Sequence, residues 1–436
     1  MATSPQKIVI VGAGPAGLLF AHYLLHRRSQ QYQVEIYDRR PDPRQVAVSE
    51  RRSFPISLQE RGLQGLRGIP DLEAAIAQQS LPCQGTVVHN KQRSREIRRQ
   101  NTVLAIDRNT LVLVLLEELS RRYAAPQVQL RFNHACETLD AAAQTVCFKT
   151  PDSQESAVHY DRLIGADGAG SQVRDLLAAH HGLQSAQALV PDAYKSIFLA
   201  RTNPDQGIDL ANNRIHTANL NQDVRIVLAP QPGDRLHGAF VFNAEKNPFA
   251  DLTTPTAVQA YFAEHLPTFG ALLSDAEAQA LLERPVARLT TITCDRFHEG
   301  DRILLVGDAA HAVSPSIGQG CNSALEDIVI LNQLLDRYDD DWAQVLPQFS
   351  QQRVPDAHAL RDLSDYAFPR TPLLVLEFFL RLTLGRKLHQ WFPQQFQPFV
   401  FDLVLDTNLS YAEVLRRSSG WINKVKRSMT VESPLT

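Results

Sequence analysis

The sequence predicts an α/β protein: a Rossmann-type (GxGxxG) unit, an inserted β-sheet domain and a helical C-terminal region. Three observations predict this class. A glycine-rich turn, Gly12–Gly17, stands between a strand and a helix near the start. Between about Ala186 and Pro285 the chain reads as short β-strands. Beyond Asp327 the apolar spacing becomes helical. The implied division is discontinuous: residues 1–70, 100–185 and 286–345 for the nucleotide-binding domain, 71–99 and 186–285 for the sheet domain, and 346–436 for the helical region.

Lys7–Val11 is a short apolar strand, and Leu18–His26 a helix with apolar periodicity. Gly12, Ala13, Gly14, Pro15, Ala16 and Gly17 lie between them. Val34–Tyr37 is a second strand, ending at Asp38. In this context Gly12 makes the tight turn, Gly14 admits a pyrophosphate and Gly17 lets the helix pack on the strand. Asp38 follows Gly17 by 21 residues, where a carboxylate can accept the hydroxyls of an adenosine ribose. One such unit does not distinguish FAD from NAD, and no second GxGxxG occurs.

Asp107–Arg122 is an amphipathic helix with Asp107 as N-cap. Arg108, in its first turn, opposes the helix dipole, so it either meets a phosphate or ligand or sits in solvent. Val128–Phe132, Thr145–Lys149 and Val158–Tyr160 alternate like strands of a meander. Arg162–Ala166 is a buried strand leading into Asp167-Gly168-Ala169-Gly170, ahead of a helix over Val173–Ala179. In the sheet domain, Ile197–Arg201, Asn213–Ala218, Arg225–Ala229 and Gly238–Asn243 read as strands, and Thr256–Leu266 as a helix.

Arg302–Asp327 carries the strongest local signal after the fingerprint. Arg302–Val306 is a buried strand, Gly307-Asp308 ends it, and a small-residue loop containing Pro315, Gly318 and Gly320 runs into a helix starting near Cys321. A helix N-terminus favours an anion, and the glycines let backbone approach a flat ligand. Asp308 offers a carboxylate to sugar hydroxyls. Helices follow over Asp341–Gln351, Asp356–Tyr366 and Pro372–Leu384, and Ser418–Thr436 reads as a fraying polar tail.

Net charge is −3, which gives no basic signature for nucleic-acid partners. The five cysteines form no C-x-x-C, so neither a metal centre nor a disulfide framework is expected. No run of about 18 uncharged apolar residues is present, so no transmembrane helix is expected. There is no signal peptide pattern, and a cytoplasmic location fits. Peripheral membrane contact through the C-terminal helices is the alternative to ordinary packing, since Leu373, Leu374, Leu376, Phe378, Phe379, Leu380 and Leu382 crowd one helix.

GAGPAG at Gly12, DGAGSQVR at Asp167 and GDAAHAVSPSIGQGCNSALED at Gly307 together resemble the class A flavoprotein aromatic hydroxylases, the single-component FAD monooxygenases. Within that class the chain is most similar to kynurenine monooxygenases, through RSFPISLQERGLQGL, AIDRNTL and VQLRFNH. The resemblance implies bound FAD, NADPH or NADH as co-substrate, O2, and hydroxylation of a small-molecule substrate through a flavin C4a-hydroperoxide. It places Asp38, with Arg39 beside it, at the adenosine end and Asp308 on the ribityl chain. Arg52, Ser57 and Arg108 match positions close to the flavin. The backbone of Gly318, Gly320, Cys321 and Asn322 would lie by the isoalloxazine, Pro315 above it, and Asp167 near both FAD and pyridine nucleotide. His311 matches a structural position. Epoxidation on the same fold and a non-catalytic binding module are the alternatives; the intact Asp308 and GQG loop argue against the latter. The residues that hold the amino-acid end of kynurenine are not matched: Thr86 stands at the family's arginine, Arg99 near its tyrosine, and Ala367 and Arg370 at its asparagine and glutamate. Arg99 and Arg370 would meet a different anion or face solvent.

Overall fold

The structure is a computed structural model that describes residues 5–46, 53–90, 93–221, 223–369 and 371–431. The candidate positions Arg52 and Arg370 lie outside the described residues. Apolar strand sequences build a six-stranded sheet in the order His298–Glu299, Ile303–Leu305, Arg162–Gly165, Gln6–Val11, Tyr32–Asp38, Val128–Phe132. Its pairings are parallel except at the His298–Glu299 edge. Helix Pro15–Arg28 covers it, with Leu18, Leu19, Phe20 and Leu24 fully buried. This is the Rossmann-type half, and its parallel sheet is buried on both faces, as such sheets require.

The second sheet has eight strands, in the order Ala287–Cys294, Ser185–Ala200, Arg235–Asn243, Val224–Gln231, Ile215–Asn219, Leu81–His89, Ser94–Asp107, Pro55–Leu58. Large side chains on one face, among them Ile197, Leu199, Ile226, Leu228, Phe240 and Phe242, form a core with the helices Pro255–His265 and Asp275–Glu283. The strand Pro55–Leu58 reaches back from this sheet to the nucleotide-binding half: Ile56 and Leu58 belong to the large core of that half. The meander is Ala135–Asp140, Thr145–Lys149 and Glu155–His159, the last strand beginning three residues and ending one residue earlier than its apolar pattern suggests; Val128–Phe132, expected in the meander, pairs with Tyr32–Asp38 in the six-stranded sheet instead.

In the C-terminal region helix Pro372–Trp391 runs seven residues past the expected Leu384, an unexpected helix Val400–Asp406 follows, and two larger differences concern the flanking helices. The two expected helices around residues 341–366 are one, Trp342–Tyr366, which runs through Pro347 and Pro355. Proline removes a backbone bond at each point. The continuous buried face of Val345, Leu346, Phe349, Arg353, Ala357, Leu360 and Leu363 outweighs that loss. The stretch expected to fray is instead helical to residue 431 within Tyr411–Val431. Tyr411, Val414, Trp421, Ile422 and Val425 recur at helical spacing and pack with Leu360, Leu363 and Phe378. Among the described residues no helix is long and apolar enough to cross a membrane.

Two glycines give opposite expectations. A Cβ at Gly17 would lie 2.3 Å from the Gly12 carbonyl oxygen, whereas at Gly385, inside helix Pro372–Trp391, it would meet nothing within 4 Å. Gly17→Ala should lower unfolding free energy by about 1–3 kcal/mol, and Gly385→Ala should raise it by about 0.5–1 kcal/mol. Urea unfolding of both variants checks this. Equal effects would mean that helix Pro15–Arg28 does not depend on the close approach.

Candidate active site

Strand Ile303–Leu305 leads to Gly307, whose backbone (φ 59, ψ −143) is closed to ordinary L-residues. The turn aims the Gly307 N–H at Asp327, donating to Oδ2 at 2.8 Å. The short helical turn Asp308–His311 then exposes Asp308 and buries His311. His311 Nε2 lies 2.7 Å from the same Asp327 oxygen, and Arg353 Nε donates to the other at 2.8 Å. Burial alone would raise the Asp327 pKa; His311 and Arg353 overcome this and hold the carboxyl below its usual range. His311 is thus tied down within the fold and faces no free space from which a substrate proton could come.

The loop continues through Pro315–Ile317 to Gly318 (φ 66), and helix Gly320–Arg337 begins one residue ahead of Cys321. A Cβ added at Gly318 or Gly320 would find no neighbour closer than 3.9 or 3.8 Å, so this backbone borders free space. Behind it everything is clamped. Asn322, fully buried, donates to the carbonyls of Ser57 and Gly318, both at 3.0 Å, and accepts from Gln59 N–H at 2.8 Å. Gln319 donates to Gln59 Oε1 at 2.5 Å, and the Tyr411 hydroxyl donates to Gln319 Oε1 at 2.8 Å. Cys321 is held as a neutral thiol, pushed up to about 12 by burial and then by Asp308.

At the fingerprint, a Cβ on Gly12 would lie 2.3 Å from the Ala166 carbonyl oxygen, while one on Gly14 would find its nearest atom at 3.9 Å. The first glycine is needed for the fold; the second leaves room. Helix Pro15–Arg28 starts with no side-chain cap, so no side chain takes its first N–H groups. Asp38 accepts from Ala13 N–H at 2.9 Å and pairs with Arg40, both arginine contacts at 3.1 Å. Arg39, to which the sequence pointed, and Arg40, which it missed, are both exposed, and it is Arg40 that pairs with Asp38. Asp107 caps helix Arg108–Arg122 through the N–H groups of Asn109 and Thr110. Arg108 has no side-chain hydrogen bond or ion pair among the described residues. Burial, and then Arg40, push its pKa down, while Asp308, Cys321 and Asp38 act against that, so these groups share one electrostatic neighbourhood. Asp167 turns its carboxylate to the start of helix Gln172–His181, accepting from Ser171 Oγ at 2.5 Å and Gln172 N–H at 2.7 Å.

Free backbone at Gly14, Gly318 and Gly320, the exposed Asp308 and the unpaired Arg108 fit a cofactor that carries phosphates and sugar hydroxyls. The family model described as FAD binding domain matches residues 6–364. Curated relatives named kynurenine 3-monooxygenase include one from Legionella pneumophila (strain Corby), 30% identical over 421 residues, covering 94% of this chain and 90% of the relative. Another, from Xanthomonas euvesicatoria pv. vesicatoria, is 32% identical over 438 residues, covering 99% and 92%. The chain belongs to the class A FAD-dependent aromatic hydroxylases. Solved structures of similar fold include 2-methyl-3-hydroxypyridine-5-carboxylic acid oxygenase, with TM-score 0.68 at 20% identity over 83% of this hydroxylase and 91% of that chain. Klebsiella pneumoniae HpxO complexed with FAD aligns with TM-score 0.62 at 18% identity over 86% and 93%.

Of the positions that the sequence suggested for substrate, Thr86 and Arg99 lie on paired strands of the eight-stranded sheet and Ala367 belongs to the C-terminal core. Thr86 is half-buried on strand Leu81–His89, in register with Ile97 and Ile215. Arg99 lies on the adjacent strand. Ala367, 1% exposed, packs inside the C-terminal helical core, where Trp421 Nε1 donates to its carbonyl. Its side chain is part of that core and not of a ligand-facing wall, which corrects its assignment as a substrate position.

Asp327→Asn keeps the shape of the side chain and removes its charge. An unfolded aspartate titrates near 3.8, and the folded one lower, so the stabilisation is complete above that pH and is lost as pH falls through the folded value. Wild type should exceed D327N by about 3–5 kcal/mol near neutrality. In urea unfolding the gap should narrow below about pH 4. A gap that stays constant with pH would assign the effect to shape alone.

Proposed function

We propose that this FAD-dependent monooxygenase uses NADPH or NADH and O2 to hydroxylate a small or medium-sized aromatic or apolar organic substrate other than kynurenine. When bound, FAD supplies the electron transfer and oxygen activation. The chain supplies binding, orientation and exclusion of water. We assign the pyrophosphate to the turn Gly12, Ala13, Gly14, Pro15, Ala16 and Gly17, at the start of its helix. Asp38, Arg39 and Arg40 are assigned to the adenosine end, and Arg52, Ser57 and Arg108 to the neighbourhood of the flavin. Asp308 is assigned to the ribityl hydroxyls. Gly318, Gly320, Cys321 and Asn322 are assigned to the edge of the ring that gains negative charge on reduction, which the dipole of helix Gly320–Arg337 favours. Pro315 is assigned to the reacting side of the ring. Asp167 acts by holding its loop through the helix cap. For peripheral membrane contact the available surface is helix Pro372–Trp391, whose Leu373, Leu376, Leu380 and Leu384 are exposed.

The observation that carries the substrate reading is Thr86. The zwitterionic end of kynurenine needs a placed cation for its carboxylate. At the position of the family arginine the chain has a neutral threonine whose register partners are Ile97 and Ile215. The flavin-side loop is complete while this contact is gone, which supports the same reaction on another substrate.

Two measurements test these assignments. Replacing Asp308 by alanine removes a charge-assisted hydrogen bond, so FAD affinity should fall about ten- to hundredfold with little change in unfolding. Titration of apo-protein with FAD reads it, and unchanged affinity would remove Asp308 from the site. With saturating kynurenine and NADPH, 3-hydroxykynurenine should form far below about 1 per second. Coupled turnover at or above that rate would make this a kynurenine enzyme despite Thr86.

A further inference from the structure

The eight-stranded sheet is rolled, and two polar contacts close the roll. Strands Arg235–Asn243 and Ser94–Asp107 have three strands between them, which in a flat sheet would hold them about 19 Å apart. Yet His237 Nδ1 lies 3.0 Å from Asp107 Oδ2. Likewise Ser196 Oγ, on strand Ser185–Ala200, donates at 2.8 Å to the carbonyl of Ser53, just ahead of strand Pro55–Leu58. Around His237 the register is regular: it pairs with Phe198 on one side and Ala229 on the other. Its ring stacks on that of Phe198, with centroids 4.2 Å apart and planes 10° apart.

His237 is 2% exposed, and its Nε2 has no hydrogen-bond partner among the described residues. A buried ring nitrogen without a partner costs stability, so packing alone does not account for a histidine here. An apolar ring would stack on Phe198 as well. The polar group that the histidine does reach is Asp107, in a close approach without the alignment of an ideal hydrogen bond. That carboxylate has two tasks. Its Oδ1 accepts from the N–H groups of Asn109 and Thr110 and caps helix Arg108–Arg122, while Oδ2 faces His237. Burial raises the Asp107 pKa; His237 and Ser53 outweigh this and hold the carboxyl below its usual range. One peptide bond further on, Arg108 donates its N–H to the Phe54 carbonyl at 3.1 Å, and its guanidinium lies 5.8 Å from the centroid of the Phe54 ring. Asp308, Cys321 and Asp38 share its electrostatic neighbourhood.

We propose that His237 is a positioning residue of this hydroxylase: through Asp107 it fixes the first turn of helix Arg108–Arg122 and so sets where the Arg108 guanidinium stands for the flavin. Asp107 lies where the chain leaves the rolled sheet and enters the nucleotide-binding half, so a contact on its free oxygen acts on both. Without the imidazole that oxygen is a buried acceptor with its partner gone, and the cap and the residue beside it loosen together. The proposal rests on the assignment of Arg108 to the flavin's neighbourhood above.

Three variants separate this role from packing. His237→Phe keeps the stack on Phe198 and removes both nitrogens. His237→Asn places an amide nitrogen where Nδ1 stands, and His237→Gln places one nearer the position of Nε2. In apo-protein, hydrogen exchange of the Asn109 and Thr110 amides should quicken about tenfold in His237→Phe and return towards wild type in His237→Asn but not in His237→Gln. Titration with FAD should show about tenfold weaker binding in His237→Phe, again restored by asparagine alone. In an Arg108→Met background His237→Phe should change FAD affinity no further, because the two residues act as one unit. Faster exchange with unchanged FAD affinity would make His237 a structural support only. A loss of affinity that adds in full to that of Arg108→Met, or rescue by glutamine as well as by asparagine, would mean that it does not act through Nδ1, Asp107 and Arg108. Each of these results overturns the assignment while wild type still binds FAD. Wild type that takes up no FAD would instead overturn the monooxygenase reading, and an Arg108→Met protein with wild-type FAD affinity would remove Arg108 from the flavin's neighbourhood and this proposal with it.

Discussion

The carboxylate of Asp327 joins three segments that are distant in the chain. It receives the N–H of Gly307 at the end of a sheet strand, the ring of His311 and the guanidinium of Arg353 from a helix of the C-terminal region. All of these are buried, so each charge depends on the others. Arg353 also faces Glu326 and Asp356, both at 3.1 Å, and Asp356 in turn accepts from the N–H of Ala412. Removing one member would leave charge uncompensated in a low-dielectric interior, at a cost of about 3–5 kcal/mol. The satisfied network therefore fixes one arrangement of the loop, the helix Gly320–Arg337 and the helix Trp342–Tyr366.

That constraint reaches the backbone assigned to the flavin from behind. Arg61 pairs with Glu326 at 2.6 Å and lies 4.3 Å over the ring of Tyr411. Tyr411 holds Gln319, Gln319 holds Gln59, and Gln59 holds Asn322. The C-terminal helix Tyr411–Val431 thus braces the Gly318–Asn322 loop through side chains, while the loop backbone itself borders free space. A site that must steer developing charge works best when its donors are set before ligand arrives. The helical C-terminal region on this account holds in place the loop proposed for the flavin.

The sequence made the nucleotide-binding half readable because its signals are local. A strand, GAGPAG, a helix and a strand ending in Asp38 lie within one short segment, and Gly307-Asp308 sits at a strand end where a buried aliphatic run stops. Long-range partners were not readable. Nothing beside Asp38 marks Arg40 rather than Arg39 as its partner; the backbone turn after the strand decides that. Tyr411 carries no motif, and its role appears only when the chain folds back 92 residues onto Gln319. The expected break between Gln351 and Asp356 falls at Pro355, where local propensity opposes a helix, and tertiary burial of one continuous face reverses the outcome. For Tyr411–Val431 the signal was present, as Tyr411, Val414, Trp421, Ile422 and Val425 at helical spacing, but thin among polar residues.

The eight-stranded sheet separates stability from recognition by the alternation of its strands. On one face, large residues such as Ile197, Leu199, Phe240 and Phe242 pack against helices and carry the core. On the other, at residues of the opposite parity, small side chains line the wall: Cys83, Ala105, Ala229 and, in register with Val227, Ala239. A change on the small-residue face leaves the packed face untouched, because neighbouring residues of a strand point to opposite sides. The clamp of Asn322 on Ser57 is made through the strand's backbone carbonyl and so does not depend on which side chains line that wall. The proposed loss of a recognition arginine at Thr86 is therefore compatible with an unaltered fold and an unaltered Gly318–Asn322 loop. By the same logic a chain about 30% identical to kynurenine 3-monooxygenases can change the side chains of one sheet face without changing the core on the other.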